Sequence, residues 1–146
     1  PEELFLAAVN GGEVTLEKDV VLTQPLKVQS TMTLNLNGHT ISTTAQSDGR
    51  HPYAIDNNGS LTIVGNGAIN ARGIENFGTM TINGNITITN VDTNGGSAIW
   101  NEGNLVINGG TFTTNVKAGE GTYGSALNTQ KAGKHCYTDN FECYNS

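Results

Sequence analysis

Charge is scarce in this chain. Asp, Glu, Lys and Arg make up 14% of its 146 residues, and the arginines are only Arg50 and Arg72. The formal net charge is −6. A nucleic-acid partner needs clustered Lys and Arg against its phosphates, so that class is set aside. Long hydrophobic runs are missing as well: no stretch approaches the roughly 20 apolar residues of a membrane helix. Nothing resembles a signal peptide. The chain begins at Pro1, which fits a removed leader, an initiator Met trimmed before Pro, or a segment cut from a longer chain. Cysteine is limited to Cys136 and Cys143. Such a pair is either bridged, in an oxidising compartment, or left as two free thiols. Read together with His135, the stretch "HCYTDNFEC" matches no common zinc spacing, so no metal and no cofactor is expected.

What the chain has instead is Gly, Asn and Thr, 19 of each. Thr favours strands, while Asn and Gly favour turns. The composition therefore points to an all-β chain with many tight corners. A unit recurs: "AIDNNGSLTIVGNGAINA" at 54–71, "GIENFGTMTINGNITITN" at 73–90 and "AIWNEGNLVINGGTFTTN" at 98–115, with a fourth start, "ALNT", at 126–129. Ile55, Ile74, Ile99 and Leu127 align at spacings of 19, 25 and 28 residues. Leu61, Met80 and Leu105 align next, then Ile63, Ile82 and Ile107, then Gly65, Gly84 and Gly109. Fixed phrases with variable insertions mark a solenoid whose loops sit on one side.

Within a unit the apolar residues alternate, which is strand period with one face buried. About 20 residues fit three short strands and three corners, each strand ending at Gly or Asn-Gly. "TINGNITI" alone would be a hairpin signal and would build an antiparallel fold. A meander, however, has no need for one residue type at one place in every unit. Asn57, Asn76 and Asn101 recur two positions after the aligned Ile. Such a stack can bond side chain to backbone between units, in the left-handed conformation that Asn tolerates. The expected fold is a right-handed parallel β-helix of about four to five coils. Residues 1–12 form an N-terminal cap helix, with Leu4, Phe5, Ala8 and Val9 at helical spacing and "NGG" at 10–12 ending it. Residues 13–129 form the coils, and 130–146 a C-terminal cap or docking tail.

The opening "EELFLAAVNGGEVTLEKDV", the phrase "LNLNGHTI" at 34–41 and the "INGG" repeats with their Asn corners carry a resemblance. The chain resembles right-handed parallel β-helices of the pectate-lyase-like superfamily over about residues 2–129. Similar phrases occur in bacterial surface adhesins, in phage tail and capsid-associated proteins and in polysaccharide-degrading enzymes. Lyases on this fold imply acidic Ca²⁺ ligands and an Arg or Lys base on neighbouring coils. Here the acidic residues of the repeats are Asp56, Glu75, Asp92 and Glu102, with Arg72 at a coil junction. Asp56 and Glu75 align as outward neighbours, and Trp100 breaks that column. Hydrolases need paired carboxyl groups, and no Asp-Asp pair occurs. His39, in "NGH", has no acidic partner in its own coil and reads as a corner residue. His51 lies in a polar excursion at 43–53 that is a flexible insertion or a binding feature. No enzymatic activity is expected.

Two non-catalytic classes compete. One is a structural or attachment module of a virion, packing with copies of itself or a larger particle. The other is a bacterial cell-surface adhesin or glycan-binding module. For the latter, Trp100 is expected to point outward, with Phe77 and Tyr53 on or near the same side and Glu75 and Asp56 beside it. The tail adds Tyr123, Tyr137, Phe141 and Tyr144, suited to a cap or a contact. Ice binding through Thr arrays is a third option, but the outward columns Thr62–Thr81–Val106 and Ser60–Thr79–Asn104 are mixed. The expected location is a virion or the extracellular surface.

Overall fold

Alternating apolar residues bounded by Gly, Asn or Pro set the strand boundaries. The computed structural model describes residues 1–117, 125–130, 133–138 and 142–145. One helix, α1 (Glu2–Asn10), opens the chain. Strands follow as β1 (Gly12–Thr15), β2 (Val20–Leu22), β3 (Leu26–Val28), β4 (Thr31–Asn35), β5 (Thr40–Thr43), β6 (Ile55–Asn57), β7 (Ser60–Ala71) and β8 (Ile74–Asn76). Then come β9 (Thr79–Asn90), β10 (Ile99–Asn101), β11 (Asn104–Asn108), β12 (Thr111–Thr114), β13 (Leu127–Thr129), β14 (Lys134–Tyr137) and β15 (Glu142–Asn145). The chain is all-β apart from α1, and its strands pair in parallel except for one pair at the end.

A five-stranded sheet has the order β13-β10-β8-β6-β3. Its register aligns the repeats: Ile55 faces Ile74, Ile74 faces Ile99, and Ile99 faces Leu127. A ten-stranded sheet holds the other strands. Here β7 and β9 pair in parallel over all twelve residues. β4 and β5 both flank β7, and β11 and β12 both flank β9. "TINGNITI" therefore lies inside one strand and forms no hairpin. Nor does this strand stop at Asn-Gly as the phrase suggests. Gly65 and Gly84 adopt positive φ, 87° and 146°, yet face each other in register, so the ladder passes through them.

Pairing in register stacks like residues inside. Val14, Leu34, Ile63, Ile82 and Ile107 form one column; Met32, Leu61, Met80 and Leu105 form another. Val20, Ile41, Ile69 and Ile88 form a third, which ends on Phe112. These residues constitute one continuous core. Turns 58–59, 77–78 and 102–103 lead from the five-stranded to the ten-stranded sheet. The long insertions, 44–54 and 91–98, both lie on the return path.

α1 buries Leu4, Ala7 and Ala8 and leaves Val9 62% exposed, so Val9 does not belong to the apolar face assigned to it. A helix laid on a sheet edge can bury only a narrow stripe, and Ala7 takes the place between Leu4 and Ala8. The helix ends at Gly11, whose N–H donates to the Ala7 carbonyl at 2.7 Å. Ser30 Oγ and the Gln29 N–H tie it to the body through the Ala7 and Ala8 carbonyls, at 2.6 and 2.8 Å. At the other end β14 pairs in parallel with β11 and antiparallel with β15. Cys136 faces Cys143 across that hairpin and the two are disulfide-bonded. His135 and Tyr137 occupy the places of Leu105 and Ile107 in the next rank, and Tyr144 packs against both rings. Tyr123 and Phe141 lie outside the described residues.

Candidate functional site

Asn57, Asn76 and Asn101 end three successive strands of the five-stranded sheet and are completely buried. Asn57 Nδ2 donates to Asn76 Oδ1 and Asn76 Nδ2 to Asn101 Oδ1, both at 2.8 Å. Each Nδ2 also reaches a backbone carbonyl of the neighbouring repeat: Thr79 at 2.9 Å, Asn104 at 3.1 Å and Lys134 at 2.9 Å. Side-chain-to-backbone bonding between repeats is therefore present, with an amide-to-amide chain added to it. The left-handed backbone expected for these residues is absent. Among the described residues Asn37 is the single non-glycine with positive φ. Ladder amides project from extended strand ends, where the inward side of the pleat already aims them along the stack. Buried polar groups need hydrogen-bond partners, and this column finds most of them in the neighbouring repeats.

The outward column of the same sheet runs Lys27, Asp56, Glu75, Trp100 and Asn128. Asp56, Glu75 and Trp100 are thus brought side by side, each half-buried. Burial, then the charges of Asp56 and Glu102, hold the Glu75 carboxyl above its ordinary range, while Arg72 pulls the other way. The Trp100 indole N–H donates to Glu102 Oε2 at 2.8 Å. Glu102 was not among the expected binding residues; its position one place after the ladder Asn101 was the available signal. Phe77 stands 40% exposed at the turn after β8. Tyr53 is at the opposite margin, before β6, with the Arg72 guanidinium 5.7 Å above its ring. Phe77 and Tyr53 therefore border the two ends of the strands. Three-residue strands leave only one outward position each, so flanking residues fall into the turns.

The excursion carrying His51 is tied down. Its N–H donates to both oxygens of Asp92, at 3.2 and 3.3 Å, and its Nδ1 lies 2.9 Å from the Thr43 carbonyl. Asp92 is 5% exposed and also accepts from Arg72 Nη1 at 3.3 Å. One buried carboxylate thus clasps the two long insertions and the short Arg72–Gly73 connection between them. No local sequence signal joins Asp92 to His51, 41 residues apart. His39 finds an acid in the preceding repeat: its Nδ1 is 3.3 Å from Asp19 Oδ1. The Thr40 N–H holds the Asp19 carboxyl below its ordinary range against desolvation, and His39 adds to the lowering.

No protein-family model, no curated protein and no solved structure matches this chain.

The chemistry available must then be read from the geometry. Among the described residues, no three of His, Cys, Asp and Glu converge on a point suited to a metal ion. The disulfide takes up both sulfurs of "HCYTDNFEC". Of the grouped acids, Asp92 serves the clasp and Asp19 the His39 corner. The Asp56–Glu75–Glu102 group beside Trp100 is what remains facing outward.

Proposed function

We propose that the chain is a right-handed parallel β-helix of the pectate-lyase-like kind and works as a non-enzymatic structural or attachment module of a virion or extracellular surface. The observation that carries this is the commitment of its polar groups to cohesion. The asparagine ladder binds repeat to repeat, Asp92 clasps the insertions, and both ends carry a cover, α1 at one and the disulfide-bonded hairpin at the other. A rigid body built this way suits display or spacing, working with copies of itself or within a larger particle. Light scattering on the purified chain tests it. A discrete multimer supports assembly, and a monomer at all concentrations, retained on no particle or cell surface, overturns it.

A second reading, glycan binding, is favoured by Trp100. A half-exposed indole flanked by Asp56, Glu75 and Glu102 pairs a stacking face with acceptors for sugar hydroxyls. A glycan screen in which Trp100→Ala abolishes the signal supports it; a signal indifferent to that change refutes it.

A further inference from the structure

Six hydroxyls stand in two files on the outer face of the ten-stranded sheet. Thr31, Ser60 and Thr79 pair in register as one file, and Thr33, Thr62 and Thr81 as the other. Each rank has one apolar residue between two hydroxyl residues: "TMT" at 31–33, "SLT" at 60–62 and "TMT" at 79–81. Met32, Leu61 and Met80 are no more than 1% exposed, so strand period turns both neighbours outward. β4 is what lengthens both files beyond the mixed columns legible in the repeats.

Three properties distinguish this patch. Among the described residues no hydrogen bond engages any of the six hydroxyls, whereas on the other half of the sheet Thr89 and Thr113 bond each other at 2.9 Å. No charge stands within it; Glu13 bounds it in register before Thr33, and Asn104 and Val106 follow Thr79 and Thr81. It is also rigid, since β-branched Thr is stiff at χ1 and parallel pairing holds the ranks about 4.8 Å apart.

Such a face has no pocket, aromatic ring or charge with which to hold a peptide or a single glycan. With two files about 6.6 Å apart, it covers roughly 200 Å² in plan. A second copy of the chain would need about 800 Å² per partner. What it offers is a small periodic lattice of hydroxyls and methyls, and the matching partner is a periodic hydrogen-bonded solid. In ice, oxygens joined tetrahedrally by hydrogen bonds of about 2.75 Å have second neighbours about 4.5 Å apart. Against ranks about 4.8 Å apart, the misfit accumulates to only roughly 0.6 Å over three ranks. We infer that the Thr31–Thr81 face binds ice.

The test is growth of a seed ice crystal in a solution of the purified chain, with partition of the chain into slowly frozen ice measured alongside. The chain should arrest the crystal over a measurable freezing gap and enter the ice fraction. Thr62→Lys, at the centre of the patch, and Thr79→Lys, at its exposed file, should each lose both effects. Thr113→Lys, on the other half of the sheet, should keep them; circular dichroism melting confirms that all three variants fold. No freezing gap and exclusion from ice in the parent chain overturns the inference. So does an effect that both patch variants retain, or retention on insoluble polysaccharide with none on ice.

Discussion

Glu75 shows how one outward residue reports on its surroundings. Its carboxyl sits above the ordinary glutamate range because of burial first and the Asp56 and Glu102 charges second. The folded chain therefore keeps that proton longer than the unfolded chain does. Stability from this group is lost as pH rises from the ordinary glutamate range through the raised value. Glu75→Gln should melt above the parent at neutral pH, and the gap should close as pH falls towards about 4. A gap that persists in acid would assign the effect to packing instead. Asn76 makes the opposite case, a polar residue with no room for loss. Asn76→Ala removes the acceptor of Asn57 Nδ2 and the donor to Asn101 Oδ1. Asn57 Nδ2 keeps the Thr79 carbonyl and Asn101 Oδ1 keeps the Gly103 N–H, so each loses one of two partners. At about 0.5–1.5 kcal/mol per lost bond, a denaturant titration should show a loss of about 1–3 kcal/mol. The recurrence of Asn57, Asn76 and Asn101 was plain in the sequence, and so was the outward Asp56–Glu75–Trp100 column. Side-chain-to-backbone bonding between repeats was legible too; the amide-to-amide chain and the extended backbone were not, because an aligned Asn is equally compatible with a left-handed corner and an inward ladder. The Asp92 clasp was invisible, since it depends on where two insertions of unrelated sequence meet.

At the scale of the element, the turns reveal a second stack that the repeats contained unread. Gly59, Gly78 and Gly103 each fall two residues after a ladder Asn. The Asn57 and Asn101 Oδ1 atoms accept from the N–H of their glycine, at 3.1 and 3.2 Å. A Cβ on Gly78 would lie 2.2 Å from the Gly59 carbonyl oxygen, and one on Gly103 2.2 Å from that of Gly78. Backbone lies directly on backbone here, and no side chain can yield. Gly78→Ala should therefore cost about 3 kcal/mol or more in denaturant unfolding, the upper end of overpacking penalties. Gly38→Ala is the comparison: φ is +82° and nothing lies within 4 Å, so its cost should be about 1–2 kcal/mol, from conformation alone. Equal costs would mean the turns are free to separate. Other glycines explain an error of boundary. "VGNG" at 64–67 and "INGN" at 82–85 read as corners, yet β7 and β9 continue through them, because the two strands stay in register with each other there; at "INGG", 107–110, the strand does break. Propensity marks where a chain can bend; pairing decides whether a strand ends.

For the whole molecule, the proposed β-helix implies that stability is local. Each repeat pairs chiefly with the one before and the one after, so a perturbation at one end should fade with distance. The two ends can be loosened independently. Leu4→Ala empties a buried site under α1, with a cost of about 2–5 kcal/mol for such truncations. Cys136→Ser with Cys143→Ser opens a loop of sequence separation 7, which the chain-entropy relation values at roughly 2.5 kcal/mol. Amide hydrogen exchange should separate them. The first variant should lose protection in β1 to β4 and hold it in β11. The second should lose it in β11 and β14 and hold it in β4. In both, β7 and β9 should stay protected, because each is paired on both sides by in-register strands. Acid should sharpen the second effect. Burial holds the His135 imidazole below its ordinary range, so its contribution is present above the unfolded value and lost as pH falls through the folded one. Equal loss of protection along the whole chain from either variant would show a single cooperative unit, and the one-dimensional architecture would have to be given up.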